Sequence, residues 1–550
     1  MFAIKNMKGF LPALLIALPL LWSCRTEKKI NVDLLVLDAK VYTMNGDSVV
    51  ASGIAIDDGR IVDVGLSTRI SAMYTGKEML RLKGKFIYPG FIDPHSHFYG
   101  LGQSLMSADL RGSATKGEMT ERVQDFAAGK KLSVIYGRGW DQNLWHPAEF
   151  PTNERLNELF PDVPVFLSRV DGHAALVNQA ALDLAGITAS TKMSGGEVIV
   201  QNGKPTGVLI DNAVDLVTRR LPQPTREEKA AMLEKAQQHC FEHGLTTVSD
   251  AGVDKDLIDL YNELQNEGRL KIRIYAMANP TSPTVDWLLQ NGVLKTDLLH
   301  VRSVKFYMDG AMGSRGACLL QEYSDQPGHH GFLLNSPDSL RSLAIKLHEK
   351  QLQLNVHCIG DSANRVALEI MSQVAGADSS TRWRIEHVQL IGEKDLHHFA
   401  RGFIPSMQPT HATSDADWVD ERLGNDRLRY AYALRTLRET AGMIALGTDF
   451  PVEDVNPFYT FYAAVTRKHP VTGKTYDWLQ AQKLSRYDAL KGMTIWAAYA
   501  QFEENEKGSM EIGKWADFVV LDKDLMTVPD EEIPQMKPSM VFVAGKLIKK

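Results

Sequence analysis

From residue 89 to residue 450 the chain swings repeatedly between short β-branched runs and stretches of helical period, and few folds accept that pattern. PGFIDPHSHF (89–98) reads as the end of a first strand. Further strand-like runs follow at LTTVSDAG (245–252), KIRIYAMA (271–278), RSVKFYMDG (302–310) and LQLNVHCIG (352–360). RWRIEHVQL (382–390), GFIPSMQP (402–409) and GMIALGTDF (442–450) complete a set of eight. Helical stretches such as EEKAAMLEKAQQHCFEHG and DSLRSLAIKLHEK separate most of them. Strand–helix alternation argues for a parallel sheet, and eight units argue for a closed (β/α)8 TIM barrel in an α/β protein.

The distance from the first strand to the second is too long for an ordinary connection, so about 105–222 is expected to be an inserted α/β subdomain. It holds the strand-like KLSVIYGRGW, DVPVFLSRV and GEVIVQNGK and the helix-like ALVNQAALDLAG. Outside the barrel, expected at 89–507, both ends of the chain are β-rich. VDLLVLDAKVYTM, SGIAIDDGRIVDVG and EMLRLKGKFIYPG lie in 24–88, ADFVVLDKDL and SMVFVAGKLIKK in 508–550. Their matching style predicts one small β-sandwich built from both termini, with the barrel inserted into it.

Residues 1–23 read as a processing signal: Lys5 and Lys8, then the apolar LPALLIALPLLW, then an abrupt polar turn. Leu21-Trp22-Ser23-Cys24 resembles the lipobox of bacterial lipoproteins, which makes Cys24 the expected lipidation site and places the mature chain in the cell envelope, tethered outside the cytoplasm. A net charge of −6 offers no basic footprint for nucleic acid. The four cysteines, Cys24, Cys240, Cys318 and Cys358, do not make a disulfide framework in a chain of 550 residues.

Barrel enzymes carry their chemistry at the C-terminal ends of the strands. There the sequence places His95 and His97 (strand 1), Lys305 (strand 4), His357 (strand 5), His387 (strand 6) and Asp449 (strand 8). An H-x-H pair alone reads equally well as two surface residues, and His357 alone as a core histidine. Together, imidazoles and a carboxylate at the ends of one barrel suit Zn²⁺ or a similar divalent ion. His411, after strand 7, lies at the same end and is a candidate substrate contact. Arg169 and Arg315 are the recognisable candidates for a carboxylate clamp, and Trp140 and Trp145 either line a substrate wall or belong to a core.

With these motifs in place, the chain resembles the amidohydrolase superfamily of metal-dependent hydrolases, in its amidohydrolase-3, YtcJ-like branch. The carriers are PGFIDPHSHF, VKFYMDGAMGSRGA, VHCIGDSANR, RIEHVQL, GTDFPVEDVNPF and the tail GSMEIGKWADFVVLD. SRVDGHAALVNQAAL, in the insertion, is similar to a branch-specific segment whose histidine, here His173, reaches toward the substrate. The resemblance implies one or two ions. His95, His97 and Asp449 would hold one and His357 and His387 the second, with Lys305 bridging both as a carbamate or serving as an ion-paired strand lysine. It implies that Asp449 moves the proton and that His173 or Arg315 steadies the oxyanion. The expected reaction is hydrolysis of a non-peptide C–N bond in a small amide-like substrate, linear or cyclic, by a possible homo-oligomer. Ester hydrolysis, deamination, isomerisation and a non-catalytic binding role use the same fold, and the pocket decides among them.

Overall fold

The computed structural model describes residues 28–46, 50–281, 283–376 and 378–550; the signal segment and Cys24 lie outside the described residues. Eight parallel strands form the barrel: β1 (Phe91–Ser96), β2 (Leu245–Val253), β3 (Arg273–Ala278), β4 (Leu299–Tyr307), β5 (Gln353–Cys358), β6 (Arg384–His387), β7 (Ile404–Met407) and β8 (Ala445–Leu446). They are hydrogen-bonded in chain order from β1 to β8. Val248 pairs with Asp93, Tyr307 with His357, and Cys358 with His387, so neighbouring site residues fall at one level. Strands buried on both faces explain the near-continuous apolar runs of the sequence.

The last strand pairs for only two residues. Beyond it Gly447 turns the chain toward β1, where a Cβ would lie 2.6 Å from Asp93 Oδ1 and 3.0 Å from the backbone N and O of His95. The seam between β8 and β1 is then closed by single bonds. Asp449 N–H donates to His95 O (2.9 Å), His97 N–H to Phe450 O (2.8 Å), and Thr448 Oγ1 to Asp93 Oδ2 (2.7 Å).

Helices wrap the barrel because one face of each is apolar. In Arg226–Glu242 that face carries Ala230, Leu233, Ala236 and Cys240, and a capping box of Thr225 and Glu228 starts the helix. This helix packs on Phe98–Ser104, which follows β1. The contact is close because residue 102 is glycine: a Cβ there would lie 2.4 Å from Met232 O. Gly102→Ala is therefore expected to lower stability by roughly 1–3 kcal/mol through overpacking, read as a lower midpoint in urea denaturation.

Both termini share one sheet. Phe86–Pro89 pairs antiparallel with Phe518–Leu521, so strands from the two ends of the chain lie side by side in it. Arg273, at the start of β3, ties the barrel to that sheet through a buried ion pair with Asp517 (2.5 Å). The insertion has its own six-stranded sheet, spanning residues 108–211, and its own core around Trp140, Trp145, Leu167 and Leu176. Both tryptophans are core: their indole N–H groups donate to Leu167 O and Ser113 O, each at 2.8 Å. ALVNQAALDLAG is helical only in its second half, Gln179–Ala185. Its first residues belong to the strand Ala174–Val177, buried between two antiparallel partners, and Asn178 caps the helix that follows. Here sheet pairing overrides a helical pattern. Among the described residues no helix is long and apolar enough to cross a membrane. Cys240, Cys318 and Cys358 are free thiols.

Candidate metal centre

The strand ends bring the predicted residues to one place. His95, His387 and Asp449 each offer a ligand atom, and these atoms lie within 4.8 Å of one another. Around them, His97 Nε2 is 3.2 Å and His95 Nε2 3.5 Å from Asp449 Oδ1. Lys305 Nζ is 3.1 Å from His95 Nε2. The ring of His357 is 4.5 Å from that of His387, centroid to centroid.

Neighbouring residues orient each of these groups. Glu386, one residue before His387, takes the Nδ1–H of His95 at 2.6 Å and so leaves the lone pair on Nε2, which faces Lys305 and Asp449. Arg384, two residues earlier on the same strand, pairs with Glu386 at 2.7 Å and also donates to Pro94 O and Ser406 Oγ. All of Arg384, Glu386, His95 and Lys305 are buried. His387 Nδ1 is 2.8 Å from Gln408 Oε1, which leaves its lone pair on Nε2. Asp309, after β4, accepts backbone N–H groups of Cys318, Ile359 and Gly360 and so pins the turn beyond His357. His387 (φ 77°) and Asp449 (φ 63°) both hold left-handed backbone conformations, the kind of local strain that folds retain at functional positions.

The electrostatics suit a cation. Burial pushes His95 down to about 4, helped by the Lys305 charge, and holds His357 and His387 well below the usual imidazole range. Burial likewise brings Lys305 down to about 8. Burial alone would raise Asp449, but the imidazoles of His97, His95 and His387 outweigh it and keep the carboxylate ionised. Neutral imidazoles and an ionised carboxylate are the donor states a divalent metal requires. Asp449 Oδ1 is buried and has no hydrogen-bond partner. An acceptor left bare at the meeting point of several lone pairs fits a bound metal ion.

Two cavities, of about 590 Å³ and 1090 Å³, meet at this cluster; Asp171, His173, His357, His387 and Asp449 border both. His173 is carried in from the insertion. Its Nδ1 is 2.6 Å from Asp211 Oδ1 and its ring 5.0 Å from that of His357. Burial opposes its charge, but the Asp211 carboxylate wins and raises its pKa. Asp211 reaches this position because residues 310 and 316 are glycines; a Cβ on either would lie 2.4 or 2.3 Å from its Oδ2.

Arg315 is not brought to the cluster. It borders neither of these two cavities, and its guanidinium is held by Asp325 at 2.7 Å, on a turn where its own φ is 61°. Arg169 borders the smaller cavity but is neutralised by Asp141 and Asp171, so neither arginine is free to clamp a carboxylate. Glu386, Arg384, Asp211 and Gln408 are the functional neighbours that sequence reading missed. For Glu386 and Arg384 the available signal was two charges in a strand otherwise buried throughout, R-I-E-H.

Comparison with known proteins agrees with this geometry. The amidohydrolase family pattern matches residues 79–548. Protein LONG AFTER FAR-RED 3 of Arabidopsis thaliana is 34% identical over 94% of this chain and 91% of its own length. The putative amidohydrolase YtcJ of Bacillus subtilis is 30% identical over 92% and 98%. The N-substituted formamide deformylase of Arthrobacter pascens is 26% identical over 94% and 98%. Among solved structures, an uncharacterized metal-dependent hydrolase from Pyrococcus horikoshii superposes with a TM-score of 0.75 at 29% identity, over 90% of this chain and 99% of that one. On the match, the relatives and the shared barrel, the chain belongs to the amidohydrolase family of metal-dependent hydrolases.

Proposed function

We propose that the chain hydrolyses a non-peptide C–N bond of a small amide-like substrate, using one or two divalent ions, Zn²⁺ by the chemistry of its ligands. The observation that carries this reading is the convergence of His95, His387 and Asp449, with Lys305, His97 and His357 around them, at the meeting point of two cavities. The choice of a C–N bond is supported by the likeness to an enzyme named for deformylating N-substituted formamides.

A bound divalent ion polarises a carbonyl and acidifies water to near neutrality. His95, His97 and Asp449 would hold one ion, His357 and His387 a second. Glu386 keeps the His95 lone pair on Nε2 throughout. Asp449 accepts the proton of the attacking water at its carboxylate and returns it to the departing nitrogen. His173, hydrogen-bonded to Asp211 and bordering both cavities, offers its ring to the charge that develops on the substrate. Lys305 is fully buried, with its Nζ 3.1 Å from His95 Nε2. As a neutral amine its Nζ adds to CO2: the N–C bond forms, a C=O electron pair moves to oxygen, one proton leaves, and the resulting carbamate supplies two oxygen donors. The lipobox at Cys24 supports a site held outside the cytoplasm by a lipid anchor.

The test is elemental analysis of protein purified with bicarbonate, together with turnover of N-substituted formamides, N-acyl amino acids and cyclic ureides. Two ions per chain are expected, and none after reconstitution would sink the reading. Lys305→Ala is expected to lose metal and most activity and to regain part of both with millimolar formate or acetate. Indifference to those acids would remove the carbamate.

A further inference from the structure

His411 belongs to neither ligand set, yet it lies beside both cavity and cluster. It follows β7 in the helix Pro409–Ser414, with 6% of its surface exposed, and borders the 590 Å³ cavity. Its ring stacks on that of His387, 6.0 Å between centroids and 21° between planes. Its Nδ1 is 3.1 Å from Gln389 Nε2, and Gln389 Oε1 lies 3.4 Å from the oxygen of Tyr432, whose hydroxyl donates to Asp415 Oδ2 at 2.6 Å. An amide nitrogen can only donate, so Nδ1 is the acceptor and the His411 proton is on Nε2. That Nε2–H is buried and has no hydrogen-bond partner. Asp449 Oδ2 is 3.6 Å away, beyond hydrogen-bonding distance. A buried donor without an acceptor is costly, so its position calls for a partner. His411 lines the cavity beside the ligand cluster, and this donor is left without an acceptor there.

We propose that His411 Nε2–H donates to the carbonyl oxygen of the substrate and binds it more tightly as that oxygen becomes an oxyanion. The assignment rests on the hydrolase reading above. When water adds to the carbonyl carbon, the new C–O bond forms, the π pair moves to oxygen, and the water proton goes to Asp449. His411 keeps its own proton throughout and only strengthens a hydrogen bond, so the step balances without another group.

The test uses the zinc-loaded full chain, formanilide as substrate and methylphosphonate as a tetrahedral anionic mimic. His411→Phe keeps a ring and removes the donor. It is expected to lower kcat by about 10²–10³-fold, as loss of one oxyanion donor does, with metal content unchanged. KM should stay within about threefold, because the lost interaction belongs to the transition state. Calorimetry should show methylphosphonate binding weakened by about 10–100-fold, the worth of a charge-assisted hydrogen bond. His411→Gln, which restores an N–H, should recover part of both. Wild-type kcat and phosphonate affinity in His411→Phe would overturn the proposal, and so would loss of zinc from that variant, which would make His411 a ligand or a structural support. If wild type binds methylphosphonate but leaves formanilide and the other C–N substrates above intact, the C–N reading fails and the phosphonate comparison alone decides His411. If wild type does neither, both readings fall.

Discussion

Asp449→Asn is expected to abolish turnover, lowering kcat on the order of 10⁴-fold or more, while the protein stays folded. The carboxylate is the point on which His95, His97, His387 and His411 converge. Asparagine preserves its shape but removes the charge that attracts a cation and the base that takes a proton. The fold should survive because the seam bonds run through backbone: Asp449 N–H to His95 O and His97 N–H to Phe450 O are untouched by the substitution. The check is turnover and metal content, alongside an unchanged circular dichroism spectrum and urea midpoint. Activity near that of wild type would show that the site has been misplaced.

Arg384→Met should have the largest effect on stability. Arg384 is the counter-charge of Glu386, both fully buried, and Glu386 in turn holds His95. Removing one partner of a buried pair strands the other charge and costs about 3–5 kcal/mol. Replacing both, as Arg384→Met with Glu386→Leu, should recover most of that stability yet leave the enzyme weak in metal binding, because His95 loses the acceptor that sets its lone pair. Equilibrium denaturation and zinc affinity separate the two effects. The sign with pH follows from the carboxylate. Burial would raise Glu386, but Arg384 and His95 hold it at about 2, below its unfolded value. Its contribution is therefore complete above the ordinary carboxylate range and fades as pH falls toward about 2. The stability gap between wild type and Arg384→Met should narrow in acid, and a gap that widened there would contradict the pairing.

The barrel was legible because its strands are buried on both faces and separated by helices of clear period, and because the active end of a barrel is known in advance. That logic reached His95, His97, Lys305, His357, His387 and Asp449, each at a strand end. It could not reach Asp211, which meets His173 from 38 residues away across an antiparallel sheet, through space that only two glycines leave open. Nor could it foresee that Arg315 would be consumed by Asp325, a pairing set by the loop after β4 rather than by any periodicity. In ALVNQAALDLAG the apolar spacing was real, but pairing with a strand on each side claimed its first half. Local pattern locates elements, and partners distant in sequence decide what the side chains do.

The seam between β8 and β1 carries a consequence for how the molecule is made. Asp93 and Thr448 are separated by 355 residues, and the bonds that join them lie against the ligand cluster. Closing so long a loop is entropically slow, so the barrel mouth is among the last parts to assemble. A chain with an unlatched first and last strand has no complete ligand set, which makes immature protein silent rather than partly active. An ion held by His95 and Asp449 would bind only the latched state and stabilise it by mass action. Metal supply would then act as a quality gate on the newly made enzyme, favouring the chains whose two ends have met.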